Sequence, residues 1–401
     1  MAAVLVVFDG VGDEGVNTPL QSAHTPRLDS LAYVGMAGLF NAIRPGVAPG
    51  SGIAHTYMFG YNVEHYPGRG VFEALGGGVE LREGDVAIRG NVATVIDNVV
   101  VDRRGGVLDT EETTQLLKDL DGMVCEGVRC IVKPAKEHRF FLVLRGEGLG
   151  VDVQLNDPHA VNVAPHPIVA LGKGSEKTAR VLNTFVKAVE QHFSTHPLIK
   201  ELKDKGRRYP TTVLLRGIGR WKPVQSFSDR FGLSAGAIAG GNLYKGVAKF
   251  FGMEVLNVKG ATGTQNTSLF AKAEALRHAV KRFDFVFLHV KATDTLAHRK
   301  DRVGKRQFLE RIDKELGEAL VEVVNEGHTV AITGDHTTSS LTGEHTGLPC
   351  PVLIAGGGVR QDSVKRFDEV SVGNGALGLL RGNELIHVLL DVAGWRQEWF
   401  P

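Results

Sequence analysis

Four clusters of carboxylates, hydroxyls and imidazoles stand where apolar runs stop. Asp9-Gly10 closes AVLVVF, Ser51 and His55 lie in PGSGIAH, and Asp294 and His298 follow FVFLHV. Asp335-His336 follows TVAITG, with His345 shortly afterwards in EHTG. Asp294 and His298 are spaced i and i+4, so one helical turn brings both side chains to a single metal. Solvated helix faces carry that spacing too, and it gains weight here by coming directly after an apolar strand. Asp335 and His336 are neighbours whose side chains should point apart and serve one ion each, or on a loop both serve one. Ser51 sits among small residues ahead of an expected helix, in a turn that would offer its hydroxyl and backbone N–H groups to an anion. Taken alone it reads as an N-cap. Serine is a weak nucleophile at neutral pH, and metal coordination activates it without a histidine base. Aspartate, histidine and serine converging on one sheet edge is therefore a donor set for two divalent cations and a phosphate-directed serine. Mixed Asp/His ligation suits Mn²⁺, Zn²⁺ or Co²⁺ better than Mg²⁺, which prefers oxygen.

The elements that must position these groups are legible as alternating strands and helices. Val4–Phe8, Phe285–Val290, Thr329–Thr333 and Val352–Ala355 are continuous apolar runs, as expected of strands covered on both faces. Thr25-Pro26 predicts an N-cap and first helical residue, leading through Leu28, Leu31 and Ala32. Leu309, Ile312, Leu316, Leu320 and Val323 predict one helix over Phe308–Val324. Loops at the carboxyl ends of parallel strands are where open α/β sheets hold their chemistry. The middle of the chain differs. It has alternating segments over Gly84–Asp102, a strand candidate at Arg139–Leu144, an amphipathic helix over Ser175–Phe193 and a strand at Thr212–Leu215. The expected architecture is α/β, a parallel-sheet core with helices on both faces formed by residues 1–74 and 206–401. A smaller α+β cap would be inserted at 75–205.

Composition narrows the function classes. At 401 residues, with 43% hydrophobic and 23% charged residues, the chain builds an ordinary packed core. A net charge of +1 argues against general nucleic-acid binding, which calls for a basic face. Cys125, Cys130 and Cys350 cannot all pair, and no second Cys or His pair completes a zinc site around the first two. Reduced thiols in a cytoplasmic protein are the expectation. No uncharged run reaches the roughly 18 residues of a membrane helix, and no basic-then-apolar leader precedes the first strand. Oligomeric state is left open.

The segments VVFDGVGD, TPLQSAHTPRLDSLA, PGSGIAHTYMFGYN, GRGVFEALG, DRRGG, LLRGIGR, GATGTQNTS, HVKATDTLAH and TGDHTT with EHTG resemble the motifs of the archaeal-type, cofactor-independent phosphoglycerate mutases of the alkaline phosphatase superfamily. They run in family order over nearly the whole chain. The resemblance implies an alkaline-phosphatase-like core with a cap, acting on a small phosphorylated substrate. It makes Ser51 the transiently phosphorylated nucleophile. Asp9, Ser51, Asp335 and His336 would hold one ion, and Asp294, His298 and His345 the other, Mn²⁺ being the usual metal. Lys245 in NLYKGVAK and Arg216 in LLRG would bind the transferred group and substrate, with Arg69 in GRG assisting. Asp157 and His159, with Arg139 or Arg145, would contact the glycerate carboxylate and hydroxyl. One departure stands out: the family usually has Asp-Thr after the serine, and here Gly52-Ile53 follows. A phosphomonoesterase, or a related phosphotransferase of the homoserine-kinase-like branch, would use the same donor set.

Overall fold

The computed structural model describes residues 1–395. They form two compact units, one of Met1–Tyr66 with the chain from Val224 onward, the other Pro67–Pro223.

The first unit is built on an eight-stranded sheet. Its order is Glu254–Val255, Ala235–Ile238, Phe285–Val290, Ala3–Phe8, Thr329–Thr333, Cys350–Ala355, Met36–Asn41 and Gly378–Arg381. Ala3–Phe8 lies at the centre, parallel to Phe285–Val290 and to Thr329–Thr333, so Val7 pairs with both His289 and Thr333. The residues of these three strands are buried throughout. One face, with Val4, Val6, Phe8 and Leu288, packs on Leu28, Leu31, Leu309 and Leu320 from the helices above it. The other face carries Phe285 and Phe287, whose rings lie 4.5 Å from Phe227 and 4.9 Å from Phe59. Helices thus cover both faces, as the unbroken apolar runs predict.

The sheet is not wholly parallel. Cys350–Ala355 runs antiparallel to both of its neighbours, with Val330 opposite Ala355 and Val352 opposite Gly38. A parallel return needs a crossover of about a dozen residues or more, usually helical. The segment after Thr333 is instead spent on the short ribbon Thr337–Thr338 with His345–Thr346, so the chain comes back in the opposite direction.

Two helix expectations change in detail. The apolar periodicity over 308–324 is carried by two helices, Arg302–Glu315 and Gly317–Asn325. A side chain at Gly317 would stand 3.0 Å from Arg27 Cβ, so the turn between them fits closely under the neighbouring helix. Thr25 supplies no side-chain cap to Pro26–Val34. Asp313 does so from another helix, accepting from the backbone N–H groups of Arg27 and Leu28 at 2.9 and 2.8 Å.

The second unit is an antiparallel sheet in the order Thr212–Arg220, Val86–Ile96, Arg139–Arg145, Val128–Pro134 and Val124–Cys125, with Val99–Asp102 paired to Val86–Ile96. Helix Glu176–Thr195 buries Val181, Leu182, Phe185 and Val189 among Leu142, Leu144, Val213 and Leu215. This unit is wider than residues 75–205. Strand Thr212–Arg220 is a sheet partner of Val86–Ile96, and helix Arg69–Gly76 packs on both strands. The GRG and LLRG motifs therefore lie in the second unit. Gly70 marks how tightly that helix sits, since a Cβ there would stand 2.3 Å from the Ala87 carbonyl oxygen and 2.5 Å from that of Gly217.

Among the described residues no helix is long and apolar enough to cross a membrane. All three cysteines are free and buried.

Candidate active site

In the first unit the sequence clusters meet at the carboxyl ends of the central strands. Asp9 ends Ala3–Phe8, Asp335-His336 follows Thr329–Thr333, and Asp294 and His298 lie on helix Ala292–His298 just beyond Phe285–Val290. His345 arrives on the ribbon. Ser51 is the first residue of helix Ser51–Met58, and its N-cap is Gly50. Capping therefore does not account for Ser51, whose Oγ lies 3.2 Å from His336 Nε2.

Each histidine is held in one tautomer by its Nδ1–H. His298 donates to the Gly343 carbonyl at 2.7 Å, His345 to that of Pro49 at 2.9 Å, and His55 to that of Ser51 at 2.7 Å. Thr338 donates its hydroxyl to Asp294 Oδ1 at 2.9 Å, so at 3.0 Å it accepts from His336 Nδ1. With Nδ1 committed, Nε2 is in each case the ring nitrogen left to ligate a metal.

The donor atoms form two groups. Asp294 Oδ1 lies 3.1 Å from His298 Nε2 and 3.3 Å from His345 Nε2, and the two nitrogens are 3.2 Å apart. His336 Nε2 lies 3.2 Å from Ser51 Oγ, 3.3 Å from Asp335 Oδ2 and 3.5 Å from Asp9 Oδ1. Ligand bonds of about 2.0–2.2 Å in a tetrahedron place neighbouring donors about 3.3–3.6 Å apart, so both groups have the dimensions of a metal sphere. Asp294 also stands near Asp9 and His336, which puts one carboxylate beside both groups. Asp335 and His336 do not diverge as adjacent residues on a strand would, because the loop after the strand turns both inward.

The electrostatics call for cations. Asp9 Oδ1, both oxygens of Asp335 and His55 Nε2 are buried without a hydrogen-bond partner, which is costly unless another ligand satisfies them. Burial, then the nearby Asp9 charge, pushes the Asp335 carboxyl up to about 7. Burial also pushes up on Asp9 and Asp294, yet Lys291 and His289 at Asp9, and His298 and His345 at Asp294, hold both well below the usual carboxylate range. His336 is pushed down to about 3 by burial, so it stays neutral and able to ligate. Two dications would relieve this crowding of carboxylates, and the residues present fit them.

Several participants were not singled out from the sequence. Tyr244 donates its hydroxyl to Asp9 Oδ2 and stacks on His289 with ring centroids 3.4 Å apart. Lys291 bridges the carboxylates of Asp9 and Asp294, and Thr338 bridges Asp294 and His336. Tyr244 adjoins Lys245, which is half-buried on helix Asn242–Phe250, and that helix packs on the Ser51 helix. Single polar residues in apolar strands and helices give no periodic signal, although Lys291 does sit inside the motif HVKATDTLAH.

The second unit gathers arginines. Arg103 grips the buried Asp157 at 3.1 and 2.8 Å, and Arg216 Nη1 lies 3.4 Å from the same carboxylate. The His159 backbone N–H donates to Asp157 at 2.9 Å. Glu73 is shared by Arg69 and Arg89, both at 2.7 Å. Burial lowers the Arg89 guanidinium to about 9, with Arg69, Arg216 and Arg139 adding repulsion. Arg69, Arg139, Arg216, Asp157 and His159 are thus brought together, with Arg89, Arg103 and Glu73 as partners not expected from sequence. Arg145 is not among them. It lies at the far end of strand Arg139–Arg145, about 20 Å along at the rise of a strand, and its guanidinium is taken up by Asp85 at 2.9 and 2.7 Å.

Comparison with solved structures first defines the class, a mixed α/β protein of the cofactor-independent phosphoglycerate mutase fold. A protein of Pyrococcus horikoshii superposes with a TM-score of 0.88 at 31% identity, over 100% of both chains. The cofactor-independent phosphoglycerate mutase of Thermoplasma acidophilum superposes with a TM-score of 0.70 at 30% identity, over 98% of this chain and 100% of that one. A family model described as 2,3-bisphosphoglycerate-independent phosphoglycerate mutase matches residues 32–198. The chain is 40% identical to the Methanocaldococcus jannaschii protein named 2,3-bisphosphoglycerate-independent phosphoglycerate mutase 1, covering 99% of this chain and 98% of that relative. It is 39% identical to the Pyrococcus abyssi protein named as such a mutase, over 97% of each. The chain belongs to the 2,3-bisphosphoglycerate-independent phosphoglycerate mutase family.

Proposed function

We propose that this protein interconverts 3-phosphoglycerate and 2-phosphoglycerate by way of a phosphorylated Ser51, without 2,3-bisphosphoglycerate. The observation that carries the reading is Ser51 Oγ, which is free of any capping role and stands 3.2 Å from His336 Nε2 within a set of metal donors. Asp9, Ser51, Asp335 and His336 would hold one divalent ion, and Asp294, His298 and His345 the other, with Mn²⁺ favoured and Zn²⁺, Co²⁺ or Mg²⁺ as substitutes. When bound, such ions lower the pKa of the serine hydroxyl and offset charge on the phosphoryl oxygens.

The protein's own groups do the rest. Ser51 Oγ attacks phosphorus, and the bond from phosphorus to the substrate oxygen breaks. The same Oγ later surrenders the group to the neighbouring hydroxyl of glycerate. Lys245 supplies positive charge for the phosphoryl group, and the first turn of helix Ser51–Met58 offers backbone N–H donors. Arg216, Arg69 and Arg139, with Asp157 and His159, carry the chemistry to hold the carboxylate and hydroxyl of glycerate. Arg145, already occupied by Asp85, is left out of that set.

A phosphomonoesterase on the same donors is the rival. The helix position after Ser51 holds Gly52, with Ile53 next, so the carboxylate usual there cannot help retain the intermediate. An enolase-coupled assay on 3-phosphoglycerate with added Mn²⁺ and no 2,3-bisphosphoglycerate, read alongside free phosphate, separates the two. 2-Phosphoglycerate without released phosphate is expected, and Ser51→Ala should abolish it while leaving bound metal in place. Phosphate release alone would replace the mutase reading with the hydrolase.

A further inference from the structure

Lys291 follows the strand Phe285–Val290 and opens helix Ala292–His298. Its Nζ donates to Asp9 Oδ2 at 3.0 Å and to Asp294 Oδ2 at 2.5 Å. These two carboxylates come from different elements, and each is a candidate ligand. The remaining contacts divide the carboxylate oxygens the same way. Oδ2 of Asp9 also receives Tyr244 Oη and has His289 Nε2 at 3.3 Å, whereas its Oδ1 faces His336 and has no hydrogen-bond partner. Oδ1 of Asp294 faces His298, His345 and Thr338, whereas its Oδ2 has Lys291.

We infer that Lys291 is a fixed internal counter-ion for both metal positions. It claims Oδ2 of Asp9 and of Asp294, so each carboxylate offers only Oδ1 to an ion, and its charge weakens both as donors. Lys291 is then a positioning residue that offsets the charge of Asp9 and Asp294, though not of Asp335, and holds metal affinity down. This rests on the two-metal reading of the site.

The two effects of such a contact have opposite signs, which makes the inference testable. Loss of a partner that only orients a ligand weakens metal binding by about 10–100-fold. Loss of a cation beside two carboxylates strengthens it, because a dication no longer meets a fixed positive charge. Lys291→Met keeps the length of the side chain and removes the charge. The full chain, stripped with chelator, is titrated calorimetrically with Mn²⁺, and its melting temperature is followed with and without the ion. K291M is expected to bind at least about 10-fold more tightly, about 1.4 kcal/mol, and to show a larger Mn²⁺-dependent rise in melting temperature than wild type. Equal or weaker binding by K291M overturns the counter-ion role. If K291M does not survive stripping, K291Q replaces it: tightening supports the charge argument, and wild-type affinity overturns it. Failure of the wild-type chain to bind Mn²⁺ or Zn²⁺ at all would instead remove the two-metal reading, and this inference with it.

Discussion

Thr338→Val tests whether the hydrogen-bond relay between the two donor groups sets the state of the site. Thr338 is fully buried; its hydroxyl donates to Asp294 Oδ1 at 2.9 Å and accepts from His336 Nδ1 at 3.0 Å. Valine has nearly the same shape, so no cavity opens and the change is confined to those two bonds. The bond to a carboxylate is worth about 1.5–3 kcal/mol, and an unmet buried N–H costs about 1–3 kcal/mol. In the metal-free protein His336 can recover part of this by moving its proton to Nε2, toward Asp335 Oδ2 at 3.3 Å. A net loss of about 2–3 kcal/mol in urea unfolding is therefore expected. That same tautomer turns an N–H toward the metal, so Mn²⁺ affinity should fall by about 10–100-fold. Thr338→Ser, which keeps the hydroxyl, should restore most of both. Calorimetric titration of the chelator-stripped chain reads the affinity, and chemical denaturation reads the stability. A T338V protein that binds Mn²⁺ as wild type does would refute tautomer selection by this relay.

Other outcomes follow from the second unit. Asp157 is held below the ordinary carboxylate range, since the bonds from Arg103 and the His159 backbone, with the Arg216 charge, outweigh its burial. Its stabilising contribution is thus fully present above the unfolded pKa of about 3.9 and is lost as pH falls through the lower folded value. Asp157→Asn should cost about 3 kcal/mol at neutral pH, and the gap to wild type in denaturant melts should close below about pH 4; a gap that stays constant would contradict the assignment. Gly70→Ala would press a methyl group against two backbone carbonyls. It should destabilise by about 1–3 kcal/mol, read as a lower denaturation midpoint, and an unchanged midpoint would mean that the Arg69 helix is free to shift.

Much of the site could be read from the chain because its chemistry sits at the ends of unmistakable strands. AVLVVF, FVFLHV and TVAIT had to be buried, and each is followed within four positions by Asp9, Asp294 or Asp335-His336. The i,i+4 spacing of Asp294 and His298 was enough to place both on one helical face, because helix geometry is local. What the sequence could not supply was anything decided by the packing of distant segments. The antiparallel return of Cys350–Ala355 follows from the segment after Thr333 being spent on the ribbon Thr337–Thr338 with His345–Thr346 rather than on a crossover helix. The inclusion of Arg216 in the second unit follows from strand pairing across more than a hundred positions in the chain, and that of Arg69 from its helix packing on the paired strands. The parting of Arg139 from Arg145 was implicit in the strand expected there, but the Asp85 that takes up Arg145, sixty positions away in the chain, was not. Above all, the tautomers of His298 and His345 and the hold of Lys291 on Asp9 rest on single hydrogen bonds between residues far apart in sequence. A pattern of residue types says which groups can ligate. Only the tertiary structure decides which atom of each group is left free to do so.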